Sequence, residues 1–205
     1  ERLKKNYGKR TRPDFGKTIR YSLPTGGVPF KLKYKLKSKK KLNYIILCDV
    51  SASMHRFSGF VLQFIKEMQK TLQNSECYVF SQDVEYINVN SFTNAIGFEQ
   101  MIINSPVWRK GTDLGRALDY IMEQSGANLN SSSIVIIVSD GKTINADKAE
   151  KHLKSLSLSV KKIIWLNPIA EREWGKTPAV EKYREVCSML DCSTFHKLSE
   201  AISRI

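Results

Sequence analysis

Short apolar runs recur along the chain, each bounded by polar or turn residues. The clearest runs are residues 44–48, 77–80, 134–138 and 163–166. They are rich in Ile and Val and mostly too short to form helices, which favours buried β-strands. We therefore predict one strand in each run.

Stretches with helical spacing lie between and after these runs. Their apolar residues recur every three or four positions, as one face of an amphipathic helix requires. The four sets are Phe57, Phe60, Val61, Phe64, Ile65, Met68 and Leu72; Leu114, Ala117, Leu118, Ile121 and Met122; Ala149, Leu153 and Leu156; and Val180, Tyr183, Val186 and Leu190. Alternating strands and helices build crossover units on a parallel sheet with helices on both faces. The predicted fold class is a doubly wound, Rossmann-like α/β domain.

One pair of predicted strands is too close to be joined by a helix. The run 77–80 and a further run at 84–87 are separated only by Ser81, Gln82 and Asp83. Such a short connection suits an antiparallel hairpin rather than a parallel crossover. We expect one antiparallel edge strand in an otherwise parallel sheet.

Charge divides the chain into two regions. The 205 residues include 33 Lys plus Arg and 20 Asp plus Glu, a net charge of +13. Residues 1–42 hold 15 of the basic and 2 of the acidic side chains, whereas residues 43–205 are neutral overall. Within the first region, residues 31–37 alternate Lys with Leu or Tyr, which is the period of a strand with one basic face. We predict a basic, partly extended N-terminal arm at 1–42 and one globular domain at 43–205.

Composition and local patterns exclude several classes of protein. A hydrophobic content of 41% and a charged content of 26% exclude a wholly disordered or collagen-like chain. No apolar run reaches the roughly 18 residues that span a bilayer, and the start at Glu1 shows no signal-peptide pattern. The four cysteines are Cys48, Cys77, Cys187 and Cys192. Their spacings match neither a zinc site nor a redox pair, so we expect reduced, mostly structural thiols in a segment of a longer cytoplasmic protein.

Polar residues cluster where the predicted strands end or helices begin. The carboxyl ends of parallel strands meet at one edge of the sheet, where doubly wound domains bind their ligands. Carboxylates and hydroxyls are hard oxygen donors that suit Mg²⁺, or Mn²⁺ and Ca²⁺ less selectively. The candidate metal ligands are Asp49, Ser51, Ser53, Thr112 and Asp140.

Simpler explanations exist for each of these positions. Ser51, Ser53 and Thr112 would also suit helix caps. Asp140 followed by Gly141 would also suit a plain turn. A single metal site explains the three loops together, and we favour it for that reason.

Catalytic motifs are absent from the sequence. It contains no Gly-x-Ser-x-Gly elbow, no Gly-x-Gly-x-x-Gly after the first strand and no Walker-type loop. We interpret His55 as an exposed rim residue and His152 as a solvated one. Two carboxylates leave no obvious free base for hydrolysis by a metal-activated water. We therefore expect no catalytic residues and no nucleotide cofactor.

The pattern Asp49-x-Ser51-x-Ser53, with Thr112 and Asp140 downstream, resembles the metal-ion-dependent adhesion site (MIDAS) of von Willebrand factor A (VWA) domains. The strands and loops around the motif occur in a similar order. In that family the serines and the threonine approach the metal, and the aspartates act directly or through water. An acidic side chain of a partner completes the octahedron. The resemblance implies these roles for the five residues of this chain.

A narrower resemblance, to the CoxE-like branch of VWA proteins, covers nearly all of residues 12–200. It rests on residues 16–29, 46–51 and 165–168. Members are similar to accessory proteins that work beside a MoxR-type AAA+ ATPase, and the type member assists maturation of the carbon monoxide dehydrogenase active site. Ala52 and Lys110 stand where glycine is common in the family, but neither change removes a ligand. Lys110 adds a cation near the metal loop.

The function that these patterns favour is a non-enzymatic, Mg²⁺-dependent protein-interaction module. It would bind a carboxylate of its partner and act as an adaptor to an AAA+ ATPase or to the client of that ATPase. The basic arm would offer a second surface to an acidic protein, or would be a solvated strand that binds nothing. The alternative function is RNA binding through the arm. A membrane surface is the least favoured partner because the arm has no amphipathic helix.

Overall fold

The chain forms two compact units, residues Glu1–Lys40 and Lys41–Ile205. The computed structural model describes residues 10–13, 34–36, 42–57, 61, 64–65, 68, 74–88, 100, 103–126 and 128–203. In the first unit, strand β1 (Arg10–Pro13) pairs antiparallel with β2 (Tyr34–Leu36). Strand β2 falls inside the Lys-rich run for which we predicted a strand, and the rest of that run lies outside the described residues. The boundary of the arm at residue 42 stays a prediction.

The second unit contains six strands and four α-helices whose bounds fall within its described residues, and other described residues, such as Val61 and Phe64, are also helical. The strands are β3 (Asn43–Asp49), β4 (Ser75–Phe80), β5 (Val84–Ile87), β6 (Ser133–Val138), β7 (Lys162–Asn167) and β8 (Ser188–Asp191). The helices are α1 (Leu114–Gln124), α2 (Ala146–Ser159), α3 (Pro178–Arg184) and α4 (Phe195–Ser203), and two 3₁₀ helices span Ala52–Phe57 and Glu171–Lys176. None of the described helices is long and apolar enough to cross a membrane.

The six strands form one sheet in the order β5-β4-β3-β6-β7-β8. All neighbours pair in parallel except β4 and β5, which are antiparallel. The structure therefore confirms the doubly wound, mostly parallel sheet with one antiparallel edge strand. Strands β3 and β6 lie at its centre, and the pairing of Cys48 with Val138 aligns their carboxyl ends.

Two apolar cores cover the two faces of the sheet. Along β3, Ile46 and Cys48 face one core, and Ile45 and Leu47 face the other, because successive side chains of a strand point in opposite directions. The first core also contains residues of α4 and the helical residues Val61, Phe64, Ile65 and Met68. The second contains residues of α1, α2 and α3. Helices on both faces are thereby confirmed, and each fully buried Ile or Leu contributes about 1.5–3 kcal/mol.

The helix that we predicted through Leu190 is wrong at its C-terminal end. Helix α3 ends at Arg184, and Leu190 instead lies in β8, where it pairs with Leu166 of β7. The spacing from Val180 to Leu190 matches a helix by coincidence. Strand β8 is a partly buried edge strand with the sequence Ser-Met-Leu-Asp, so it lacks the Ile and Val run that identified the central strands.

All four cysteines are free and buried. Cys187 and Cys192 pack in the cores on opposite faces of the sheet, which separates the two thiols. Burial raises the pKa of each of these two thiols to about 12. The cysteines are core residues, as we predicted.

Gly141 is required by the turn that follows β6. Its φ is +82°, and a Cβ atom there would lie 2.5 Å from Cγ2 of Val180 in α3. We expect Gly141→Ala to lower the free energy of unfolding by about 2–4 kcal/mol, through left-handed strain and overpacking together. Urea unfolding measures this loss.

The matched control for this substitution is Gly175→Ala. A Cβ atom at Gly175 has no heavy atom within 4 Å, so the change should stay within about 0.5 kcal/mol. Equal losses in the two variants would contradict the close approach of Val180 to the turn.

Candidate metal centre

The candidate site lies at the carboxyl edge of the sheet because the central strands end in register there. Asp49 is the last residue of β3, and Ser139 is the first residue after β6. The pairing of Cys48 with Val138 places these two residues side by side. The loops that leave the two strands therefore start from adjacent points.

Asp49 is a fully buried carboxylate whose orientation is set by two hydrogen bonds. The backbone N–H of Ser51 donates to Oδ1 at 2.9 Å, and the hydroxyl of Ser139 donates to Oδ2 at 2.7 Å. The pKa of Asp49 is raised to about 7. Burial is the main cause, the hydrogen bonds from Ser51 and Ser139 oppose it, and the nearby charge of Asp140 adds to it. The ionised form is thus costly unless a cation approaches it.

Asp140 is a second buried carboxylate, and one of its oxygens has no hydrogen-bond donor. Its Oδ1 accepts from the backbone N–H of Lys142 at 3.1 Å, which accounts for the turn that we considered as the simpler explanation. Its Oδ2 is buried without a hydrogen bond, and Nζ of Lys142 lies 3.6 Å away. An unsatisfied buried carboxylate oxygen costs free energy that a bound cation would recover.

The two serines bring their hydroxyls together beside Asp49. Oγ of Ser51 lies 3.3 Å from Oγ of Ser53, with Ser51 buried and Ser53 half-buried. The carbonyl of Ser51 accepts from Met54 N at 3.1 Å and so begins the 3₁₀ turn that holds Ser53. Two neutral oxygens thereby lie next to a carboxylate.

Thr112 is buried in the loop before α1, but it does not cap that helix. The cap is Asp113, whose side chain accepts from Arg116 N at 3.0 Å. The carbonyl of Thr112 accepts from Ile144 N at 3.0 Å and from the hydroxyl of Thr143 at 3.2 Å. These bonds connect the loop of Thr112 to the loop of Asp140, and the simpler cap explanation fails for this residue.

A short backbone ladder joins the loop of Thr112 to the loop of the serines. Arg109 N donates to the carbonyl of Val50 at 2.9 Å, and Ala52 N donates to the carbonyl of Lys110 at 3.0 Å. Arg109 adopts a left-handed φ of 58°, which is uncommon for a residue other than glycine. The three loops thus form one hydrogen-bonded unit.

Two residues of the site were missed by sequence reasoning, Ser139 and Lys142. Ser139 orients Asp49, and its own carbonyl accepts from Nε1 of Trp165 at 2.8 Å. Lys142 is the basic side chain that approaches a candidate ligand, whereas Lys110 contributes only its backbone to the described contacts. The signal for Ser139 was its position between a buried strand and Asp140.

The histidines lie apart from this chemistry. His55 is exposed, as we predicted, and its ring contacts Trp108 edge-on with 6.1 Å between centroids. The interpretation of His152 as solvated is wrong, because its side chain is only 17% exposed and Nδ1 lies 2.8 Å from Oδ1 of Asp119. Helices α1 and α2 pack side by side and bring these two residues together.

Within the described residues, no group of three His, Cys, Asp or Glu side chains is placed to hold a metal, so a cation here would need the hydroxyls.

The sheet and the oxygen donors at its carboxyl edge define a VWA-type domain. The chain matches the sequence model of the family described as "VWA domain containing CoxE-like protein" over residues 1–200. It therefore belongs to that family. A comparison with curated proteins gives no match.

Solved structures share the fold at low sequence identity. Proximal thread matrix protein 1 from the mussel byssus, in a form with a zinc-occupied MIDAS motif, has a TM-score of 0.54 and 20% identity over 80% of this chain and 46% of its own. Manganese-loaded TRAP protein from Plasmodium vivax has a TM-score of 0.52 and 13% identity over 74% of this chain and 69% of its own. BatB from Bacteroides thetaiotaomicron has a TM-score of 0.51 and 16% identity over 80% of this chain and 98% of its own. The chain spans less than half the length of the mussel protein.

The buried charge of Asp49 predicts an unusual pH dependence of stability without metal. The folded pKa of about 7 lies above the ordinary value of 3.8, so the folded state keeps a proton that the unfolded chain releases. Stability should therefore fall as pH rises from about 5 to 8, by roughly 3 kcal/mol. In Asp49→Asn this loss should disappear. Urea unfolding in a chelator at the two pH values measures it.

The control for this pH dependence is Asp147→Asn. The Asp147 side chain is 87% exposed, and its ion pair with Lys182 is a surface pair of small value. This variant should keep the wild-type loss between pH 5 and 8. A wild-type protein whose stability rises over that interval would contradict a raised pKa for Asp49.

Proposed function

We propose that this protein is a non-enzymatic protein-interaction module that depends on a divalent cation, with Mg²⁺ as the preferred ion. The residues that would hold the ion are Asp49, Ser51, Ser53, Thr112 and Asp140. The observation that carries this proposal is the buried Oδ2 of Asp140 without a hydrogen bond, near the desolvated carboxylate of Asp49. Both groups gain from the same cation.

The chemistry of the donor set supports a hard divalent ion. Two carboxylates offset the charge of such an ion, and neutral hydroxyls such as those of Ser51 and Ser53 withdraw little of its electrophilic character. The bound ion would therefore attract one further carboxylate from a partner. The zinc-occupied motif of the mussel protein and the manganese-loaded TRAP protein support a divalent cation, while Mg²⁺ itself rests on the donor chemistry.

The same donor set argues against catalysis. Both hydrogen-bonded oxygens of Asp49 and one oxygen of Asp140 are already engaged by neighbouring donors. No third acid, histidine or cysteine joins them in the part of the chain that the structure describes. A site without a separate general base suits binding better than hydrolysis.

Family membership supports the role of an adaptor. The resemblance to CoxE-like proteins implies a MoxR-type AAA+ ATPase as the partner, and maturation or remodelling of a client metalloenzyme as the setting. Either the ATPase or the client would supply the acidic side chain. RNA binding through the basic arm remains the alternative, and residues 1–42 are mostly outside the described part of the chain.

Calorimetric titration with Mg²⁺ tests the metal site. Wild-type protein should bind the ion, and Asp49→Ala, Ser53→Ala and Asp140→Asn should each bind at least tenfold more weakly because each loses a ligand. Ser139→Ala should bind Mg²⁺ about 10- to 100-fold more weakly, because the side chain of Asp49 would no longer be held in its orientation. Asp147→Asn serves as the control of equal charge change. Equal heats in wild type and Asp49→Ala would contradict the assignment.

Co-purification with a MoxR-type ATPase from the same genome tests the adaptor role. The complex should form in Mg²⁺, weaken in a chelator and weaken in Ser53→Ala, since the partner's carboxylate would bind through the ion. The control is Ser157→Ala, because the hydroxyl of Ser157 donates to the carbonyl of Lys154 within α2. A complex that persists unchanged in the chelator would rule out a metal-bridged interface.

A further inference from the structure

Three exposed basic residues lie in the loops of the candidate metal centre, and we refer to Arg109, Lys110 and Lys142 as the basic rim. The backbone of Arg109 bonds to Val50, which lies between Asp49 and Ser51. The backbone of Lys110 bonds to Ala52, which lies between the two serines, and Nζ of Lys142 lies 3.6 Å from Asp140. Each member of the rim is thus tied directly to a candidate ligand or to its immediate neighbour.

Two of the three charges of the basic rim have no neighbouring acid in the described part of the chain. Among the described residues, Arg109 and Lys110 have no carboxylate within 4.0 Å, and Lys142 has only Asp140. The acids of the adjacent loops are occupied, because Asp83 pairs with Arg116 at 2.8 Å and Asp113 caps α1. A divalent ion bound to Asp49 and Asp140 would offset the charge of these two acids. The rim would then leave this edge positive, although residues 43–205 are neutral overall.

We propose that the basic rim selects an acidic peptide segment as the partner. One carboxylate of the segment would reach the bound cation, and carboxylates flanking it would pair with Arg109, Lys110 and Lys142. This proposal rests on the proposed function and adds to it the chemistry of the residues around the metal-binding acid. The proposal is argued from charge complementarity. Arg109 and Lys110 have no carboxylate within 4.0 Å among the described residues, and Lys142 would be freed when a cation takes over Asp140, so the rim favours several carboxylates over one.

An exposed apolar residue distinguishes a peptide from a nucleic acid at this edge. Ile144 is 71% exposed, and its backbone N–H bonds to the carbonyl of the candidate ligand Thr112. A peptide side chain can cover an isoleucine beside the rim, whereas a phosphate backbone gains nothing from that contact. The rim and Ile144 together therefore fit an acidic segment that also carries an apolar residue.

The rim and the metal ligands should act on different rate constants. Exposed charges at the edge of an interface steer encounter, so they change the association rate and its salt dependence. A buried coordinating group holds the complex together, so its loss changes the dissociation rate. This difference gives the rim a kinetic signature of its own.

The experiment uses two labelled peptides, each with one central Asp and one Leu. In the first peptide the flanking residues are Glu, and in the second they are Gln. Fluorescence stopped-flow in saturating Mg²⁺ should give an association rate about tenfold higher for the Glu-flanked peptide with wild-type protein. The variant Arg109→Asn/Lys110→Gln/Lys142→Gln should remove that advantage, because surface charges each contribute a factor of a few. Asn is used at position 109 because it tolerates a left-handed φ.

A control variant carries the same charge change at positions away from the rim. Lys151→Gln/Lys161→Gln/Lys162→Gln replaces three exposed lysines for which no carboxylate lies within 4.0 Å among the described residues. It should keep the full advantage of the Glu-flanked peptide. Circular dichroism of both variants checks that they fold.

Each outcome separates this inference from the proposed function. Equal rates for the two peptides, with Mg²⁺ still bound, would overturn the role of the rim and leave the metal site intact. Absence of Mg²⁺ binding in calorimetry would overturn the proposed function itself. Unchanged peptide binding in a chelator would overturn the joint use of metal and rim. Tighter binding of oligouridine RNA than of the Glu-flanked peptide, lost in the rim variant, would assign the rim to nucleic acid and overturn the peptide proposal.

Discussion

The burial of Asp49 at the end of the central strand is the constraint on which the candidate site depends. A carboxylate with no exposed surface is tolerated only where donors or cations surround it. Ser51 and Ser139 donate the two hydrogen bonds, and both come from the loops that the pairing of β3 with β6 brings together. The geometry of the loops therefore follows from the parallel sheet, and the remaining negative charge creates the demand for a cation.

Most of the sheet could be predicted because its central strands are buried on both faces. Such strands are continuous runs of Ile and Val, as 134–138 shows, and the short link at 81–83 revealed the hairpin. Strand β8 could not be found in this way. An edge strand has a neighbouring strand on one side only and needs fewer apolar residues. Leu190 was therefore predicted to belong to the preceding helix, whose apolar spacing it continues.

The candidate ligands could be proposed from sequence because each follows a strand or precedes a helix at a recognisable motif. Their supporting contacts could not, since these depend on register and on side-chain direction. Ser139 donates a hydrogen bond to Asp49, which lies 90 positions earlier in the chain. The side chain of Lys142 turns back toward Asp140, two positions earlier. His152 likewise pairs with Asp119 only because α1 and α2 pack together. Local patterns hold no information on such pairings.

The position of Trp165 has an optical consequence. Its indole is fully buried, stacks on Tyr183 with 5.2 Å between centroids and donates its N–H to the carbonyl of Ser139. That carbonyl belongs to the residue whose hydroxyl holds Asp49. Ser139 alone thus separates the indole of Trp165 from the buried carboxylate of Asp49. Among the three tryptophans of the chain, the emission of this one would report changes of charge and packing at the candidate site.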